Sequence, residues 1–143
     1  MNKRIGFVIL AVAMASAAYV YTAELPRTSA HGGERVYELR TYTTNDGKLD
    51  ELHMRFRNHT NTLFVKHGMT LIGYWTPTDG DEANNTLIYL IAHPSRDAAK
   101  AAWSDFGKDP VWREAYAASR EDGPLVKKVE SVFMTSTDYS PLQ

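Results

Sequence analysis

The chain has 143 residues, with 16 Lys and Arg against 17 Asp and Glu, a formal net charge of -1. With no basic stripe either, it lacks the electrostatic footprint that nucleic-acid binding requires. Its 43% hydrophobic and 23% charged content suits one soluble domain. The absence of cysteine excludes disulfides, thiolate catalysis, Cys-ligated zinc and Cys-ligated iron–sulfur clusters.

The start reads as a secretory leader over residues 1–23. Lys3 and Arg4 precede an apolar run, IGFVILAVA, at 5–13. Small residues follow, with Ala15-x-Ala17 as a cleavage site and a cut after Ala23 as the alternative. The other reading is an uncleaved anchor, because apolar and small residues continue to Tyr21, close to a span of about 20 residues. Either way the domain is expected outside the cytoplasm, periplasmic or secreted, with no membrane contact beyond the leader. Residues 24–34, with Pro26, Gly32 and Gly33, read as a flexible lead-in to a domain at 35–139.

Residues 35–43, RVYELRTYT, predict a strand. Asn45-Asp46-Gly47 is a turn, and 48–67 predict one helix with Leu49, Leu52, Phe56, Leu63 and Phe64 on its apolar stripe. Gly68 stops it. A second strand at 69–76 and a third at 86–92 flank a polar loop, reading as a hairpin. Gly73 inside the second strand signals a bulge or the close approach of another group. Ser95 caps a helix to Phe106, with Ala98, Ala99, Ala102, Trp103 and Phe106 inward. Asp109 caps a shorter helix with Pro110 at its first position, ending near Gly123-Pro124. Residues 126–135 form the last strand.

This order predicts an α+β, ferredoxin-like βαββαβ fold: an antiparallel four-stranded sheet with helices on one face. Strand alternation places Tyr37, Leu39 and Thr41 opposite Val36, Glu38, Arg40 and Tyr42. The other strands also carry large apolar groups on both faces, with Thr70, Ile72 and Tyr74 read as sharing one side of the second strand. Helices shield one face only. A second copy covering the other gives a homodimeric α/β barrel, with an apolar ligand or a lipid surface as the competing explanation.

Several stretches carry a family resemblance: Tyr37-Glu38-Leu39-Arg40-Thr41-Tyr42, Gly47-Lys48-Leu49, and His67-Gly68 leading to Gly73-Tyr74-Trp75. Leu87-Ile88-Tyr89-Leu90, Asp109-Pro110-x-Trp112 and Glu130-Ser131-x-Phe133 extend it. Over residues 36–139 the chain resembles the NIPSNAP family. The resemblance implies a dimeric α/β barrel related to ferredoxin-like monooxygenase domains, and it supplies no agreed catalytic residues. Better-known members are mitochondrial or vesicle-linked and often have tandem domains, whereas this chain reads as a secretory-type leader followed by one domain.

The candidates for chemistry are His53, Arg40, Glu38 and Tyr42. His53 reads as a core-edge histidine held by a neighbour, or as a general base or axial haem ligand. It and His67 are separated by about 21 Å of helix and cannot share a metal. No metal-ligand spacing occurs, and no cofactor is expected unless haem. Glu38 and Arg40 read as an ion pair, across a dimer interface or with Glu130, or as a polar grip on a carboxylate or enolate. Trp75, Tyr74, Tyr89, Trp103, Trp112, Phe56 and His67 are the candidate pocket lining for a small apolar or aromatic ligand, or simply core. Asn58-His59-Thr60 and Asn84-Asn85-Thr86 match the glycosylation pattern, the first within the predicted helix. The expected function is a homodimeric small-molecule-binding or interaction protein. The alternative is a cofactor-free or haem-dependent monooxygenase- or isomerase-like enzyme with its pocket between sheet and helices.

Overall fold

The computed structural model describes residues 35–142. The expected leader and lead-in lie outside the described residues. Four strands form one antiparallel sheet in the order β2-β3-β1-β4: β1 (Val36–Thr44), β2 (Thr70–Trp75), β3 (Thr86–His93) and β4 (Val126–Met134). Between β1 and β2 run α1 (Leu49–Arg55), a π-helical turn (Phe56–Thr60) and α2 (Asn61–Lys66). Between β3 and β4 run α3 (Arg96–Lys108) and α4 (Pro110–Ala118). The fold is α+β and ferredoxin-like, as the element order predicts. No helix among the described residues is long and apolar enough to cross a membrane.

The core lies between the helices and one sheet face. Leu52, Phe56, Leu63 and Phe64 pack on Leu87, Tyr89 and Ile91 of β3, with Phe106 and Leu125 closing the cluster. Each such side chain contributes about 1.5–3 kcal/mol by leaving water. Both predicted caps are in place. Ser95 Oγ accepts from the Ala98 amide at 3.1 Å, and an Asp109 carboxylate oxygen accepts from the Val111 amide at 2.9 Å.

Two local irregularities depart from the regular periods. The single helix expected over 48–67 is interrupted by the π-helical turn, where the Asn61 amide donates to the Phe56 carbonyl and Thr60 Oγ1 donates to the Arg55 carbonyl at 3.2 Å. One extra residue in the turn rotates the downstream helix by about 100°. Arg55, three residues after Leu52 and upstream of the turn, is buried with it on the inward face of α1. The second irregularity is a bulge in β2. Leu71 opposes Ile91 and Gly73 opposes Leu90, so Ile72 is the extra residue. Simple alternation put Tyr74 with Thr70 and Ile72, against Leu71. The bulge instead turns Tyr74 to the helix-covered side with Leu71, where it stacks on Tyr89 at 5.6 Å.

The other sheet face carries Leu39, Ile88 and Leu90 together with exposed Trp75, Val132 and Met134. On that face the Trp75 ring lies across Gly73. A Cβ added to Gly73 would sit 2.6 Å from Trp75 Cη2. Gly73→Ala is therefore expected to swing the half-exposed ring outward at a cost of about 1 kcal/mol. Only one of the three indole N–H resonances in an NMR spectrum should move.

Candidate functional site

Glu38 is the most heavily engaged polar group of the domain. It projects from β1 under the helices and is 1% exposed. Oε1 accepts from Arg40 Nη1 at 2.7 Å and Ser131 Oγ at 2.7 Å. Oε2 accepts from Trp103 Nε1 at 2.7 Å and from His93 Nε2 at 3.1 Å. A carboxylate can only accept, so His93 must carry its proton on Nε2, which leaves buried Nδ1 without a partner. Burial by itself would raise the Glu38 pKa. The donors His93, Trp103, Ser131 and Arg40 outweigh it and bring it down to about 2. For Arg40, burial opposes the charge, but Tyr42, Tyr89 and Glu38 hold it firmly protonated.

This arrangement corrects the expected partner. Glu130 lies on the opposite sheet face, 2.9 Å from Lys128. Glu38 and Arg40 pair with each other within one chain, on the helix-covered side. They therefore do not pair across the open face. Arg40 also lies 4.3 Å from the Trp103 ring centroid and reaches Tyr42 Oη at 3.4 Å. Tyr89 Oη donates to Tyr42 Oη at 3.0 Å, which extends the network towards β2.

A cavity of about 400 Å³ opens where the β2 end of the sheet meets α1, the π-helical turn and α2. Its walls include His53, Phe56, Tyr74 and Trp75, four of the residues singled out from sequence. Arg57, Asn61, Thr76 and Leu87 complete the lining. Tyr74 Oη and Asn61 Oδ1 are both buried without a hydrogen-bond partner among the described residues. Burial pushes the Tyr74 hydroxyl up to about 12, so it remains a protonated donor.

The structure distributes the remaining candidates elsewhere. Glu38, Arg40 and Trp103 form the buried network, and Tyr89 joins it to Tyr74. Trp112 and Tyr42 line a smaller cavity of about 160 Å³ that shares Phe56 as a wall. His67 Nε2 binds Asp109 at 2.8 Å, and Lys66 Nζ binds the same carboxylate oxygen at 2.6 Å. His67 thus fastens α2 to the cap of α4. No group of three or more His, Asp or Glu side chains among the described residues is placed to hold a metal ion. Sequence reasoning missed His93, Arg55, Asn61 and Ser131. Strand register places His93 and Ser131, and Asn61 follows the π-helical turn, neither of which leaves a periodic signature; Arg55 follows Leu52 by three residues on the same helix face.

The NIPSNAP family model matches residues 37–141. The chain belongs to the NIPSNAP family. Among solved structures, a NIPSNAP family protein of unknown function from Agrobacterium tumefaciens is 23% identical with a TM-score of 0.67; the match covers 77% of this chain and 95% of that one. An uncharacterized NIPSNAP-like domain protein from Burkholderia xenovorans is 18% identical with a TM-score of 0.66, covering 76% and 90%. SnoaB, a cofactor-independent oxygenase from Streptomyces nogalater, is 17% identical with a TM-score of 0.52, covering 76% and 98%. No curated protein matches the chain.

Glu38→Gln should set an amide NH2 against two donors and leave Arg40 without its counter-charge. The expected loss is about 3 kcal/mol or more in denaturant unfolding. Because the folded-state pKa lies below the ordinary value of 4.5, this carboxylate stabilises the domain above pH 4.5. That contribution should fade as pH falls towards about 2, and the acid midpoint of Glu38→Gln should lack this component.

Proposed function

We propose that this NIPSNAP domain binds a small, flat ring compound bearing both a hydrogen-bond donor and an acceptor, in the cavity lined by Phe56, Tyr74, Trp75 and Asn61. The observation that carries this is that two of the lining residues, Tyr74 and Asn61, hold buried side-chain polar atoms, Oη and Oδ1, without a partner among the described residues. An unmet buried polar group costs about 1–3 kcal/mol, so a ligand that engages both gains affinity from them. A volume of about 400 Å³ falls within the range of small-molecule sites. The domain is further read as exported, carried by the leader at residues 1–23. It is also read as a homodimer joined through the open sheet face, where Trp75 and Val132 are more than half exposed.

A second reading makes the same cavity catalytic. SnoaB, which shares the fold, is a cofactor-independent oxygenase. His53 is the histidine on this cavity and would act as the general base. The resulting substrate anion would itself reduce dioxygen; a ring CH2 would become C=O, and the second oxygen atom would leave as water. Haem ligated through His53 is the cofactor-dependent version of this reading.

Two-ring phenols such as naphthols are suitable probes. Saturable binding by calorimetry is expected, weakened about tenfold by Tyr74→Phe or Asn61→Leu. Equal affinity in those variants removes the site. Oxygen uptake that Tyr74→Phe reduces and His53→Ala abolishes supports the enzyme; a flat oxygen trace with bound phenol leaves a binding protein. A Soret band shift lost in His53→Ala identifies haem. In sedimentation equilibrium the full chain should run as a dimer and Val132→Glu as a monomer.

A further inference from the structure

The smaller cavity contains a charge that the domain itself does not neutralise. Arg55 is 5% exposed, yet no carboxylate among the described residues lies within ion-pair distance of it. Nη1 donates to Ser119 Oγ at 3.1 Å. Among the described residues, buried Nε has no partner and no hydrogen bond engages Nη2. The Nε/Nη2 edge of the guanidinium, the side that forms a two-pronged fork, therefore has no partner among the described residues. The other strongly buried charges are answered within the fold: Glu38 by Arg40, and Asp109 by Lys66 and His67. An unanswered buried cation is costly, and Arg cannot escape by losing its proton. Burial does pull its pKa below the ordinary guanidinium value.

The surroundings select what would answer it. The guanidinium carbon lies 5.3 Å from the ring centroids of both Trp112 and Tyr116, which partly offset the charge. Phe106 and Val129 add apolar wall, and the cavity measures about 160 Å³. A dry cavity of about 150 Å³ accommodates a benzene ring. Tyr42 contributes a second polar contact. Its hydroxyl oxygen accepts from Tyr89 and Arg40, which leaves its own hydrogen to donate.

We infer that the Arg55 cavity is a binding site for a small aromatic monocarboxylate, with the carboxylate on the Nε/Nη2 fork of Arg55 and the ring against Trp112 and Phe106. The fork matches a carboxylate two bonds at a time, and the aromatic walls give a planar ring its contact surface. Arg55 is the recognition residue, and Tyr42 supplies the accessory donor. This site is separate from the cavity holding Tyr74 and Asn61, and its ligand does not depend on the reading given to that cavity.

Calorimetry on the full chain with benzoate tests the assignment, using benzamide as the neutral shape match and acetate as the anion without a ring. Benzoate is expected to saturate one site per chain, with benzamide and acetate each weaker by at least about tenfold. Arg55→Gln should lose benzoate by a similar factor while keeping or raising the thermal midpoint, because it removes an uncompensated charge. Val129→Trp, which fills the cavity without touching the guanidinium, should also lose benzoate. His53→Ala and Asn61→Leu, on the other cavity, should bind it as the parent does. No benzoate binding up to about 10 mM overturns the site. Wild-type affinity in Arg55→Gln overturns it equally; if that variant does not fold, wild-type affinity in Val129→Trp does so.

Discussion

The Glu38 carboxylate joins four parts of the fold at one buried point. Arg40 comes from its own strand, Ser131 from β4, His93 from the end of β3 and Trp103 from α3. A carboxylate this deep is tolerable only when its oxygens are met by donors, and here each oxygen has two. The requirement runs in both directions. Arg40 stays charged beneath the helices because Glu38 answers it, and α3 is held in register on the sheet because its indole N–H has one acceptor to reach. Mutually dependent polar contacts of this kind constrain position more sharply than apolar packing, which accepts small slides. Aromatic packing then continues the order towards β2, through Tyr42, Phe56, Tyr89 and Tyr74.

The cavities arise where the fold departs from regular geometry. A continuous α-helix and an unbroken β2 would give a standard ferredoxin-like layer. The π-helical turn begins at Phe56, which lies between two cavities, and the bulge at Ile72 turns Tyr74 towards one of them. Both features cost local hydrogen bonding. Such irregularities concentrate at functional sites, where side-chain direction matters more than ladder regularity. Three of the polar atoms left unmet, on Tyr74, Asn61 and Arg55, belong to residues lining these two cavities.

Membership of the NIPSNAP family defines the scaffold and leaves the chemistry to particular side chains, since one fold hosts many functions. The solved NIPSNAP relatives from Agrobacterium tumefaciens and Burkholderia xenovorans are of unknown function or uncharacterized, and the oxygenase SnoaB shares architecture at 17% identity. The functional argument therefore rests on which buried groups in this chain lack partners. Glu38, attractive as a chemical group, has both oxygens occupied by structural contacts, and His67 is tied through Nε2 to Asp109. Tyr74, Asn61 and Arg55 each hold a buried polar atom without a partner among the described residues.

Some of this was legible from residues alone. Strand alternation in VYELRTYTT, the Ser95 and Asp109 caps, Gly68 as a helix stop and Gly73 as a bulge signal all depend on contacts between near neighbours in the chain. Local sequence therefore determined the order of elements, the ferredoxin-like fold and the apolar character of both sheet faces. The partners of Glu38 could not be read this way. His93 and Ser131 meet it through cross-strand registers 55 and 93 residues away in sequence, and Trp103 through helix–sheet packing 65 residues away. Arg55 sits three residues after Leu52, a stripe position at which an arginine is not expected, and only the packed structure shows it buried without a carboxylate partner. A polar atom counts as unmet only once every neighbour is in place, and that accounting exists solely in the tertiary structure.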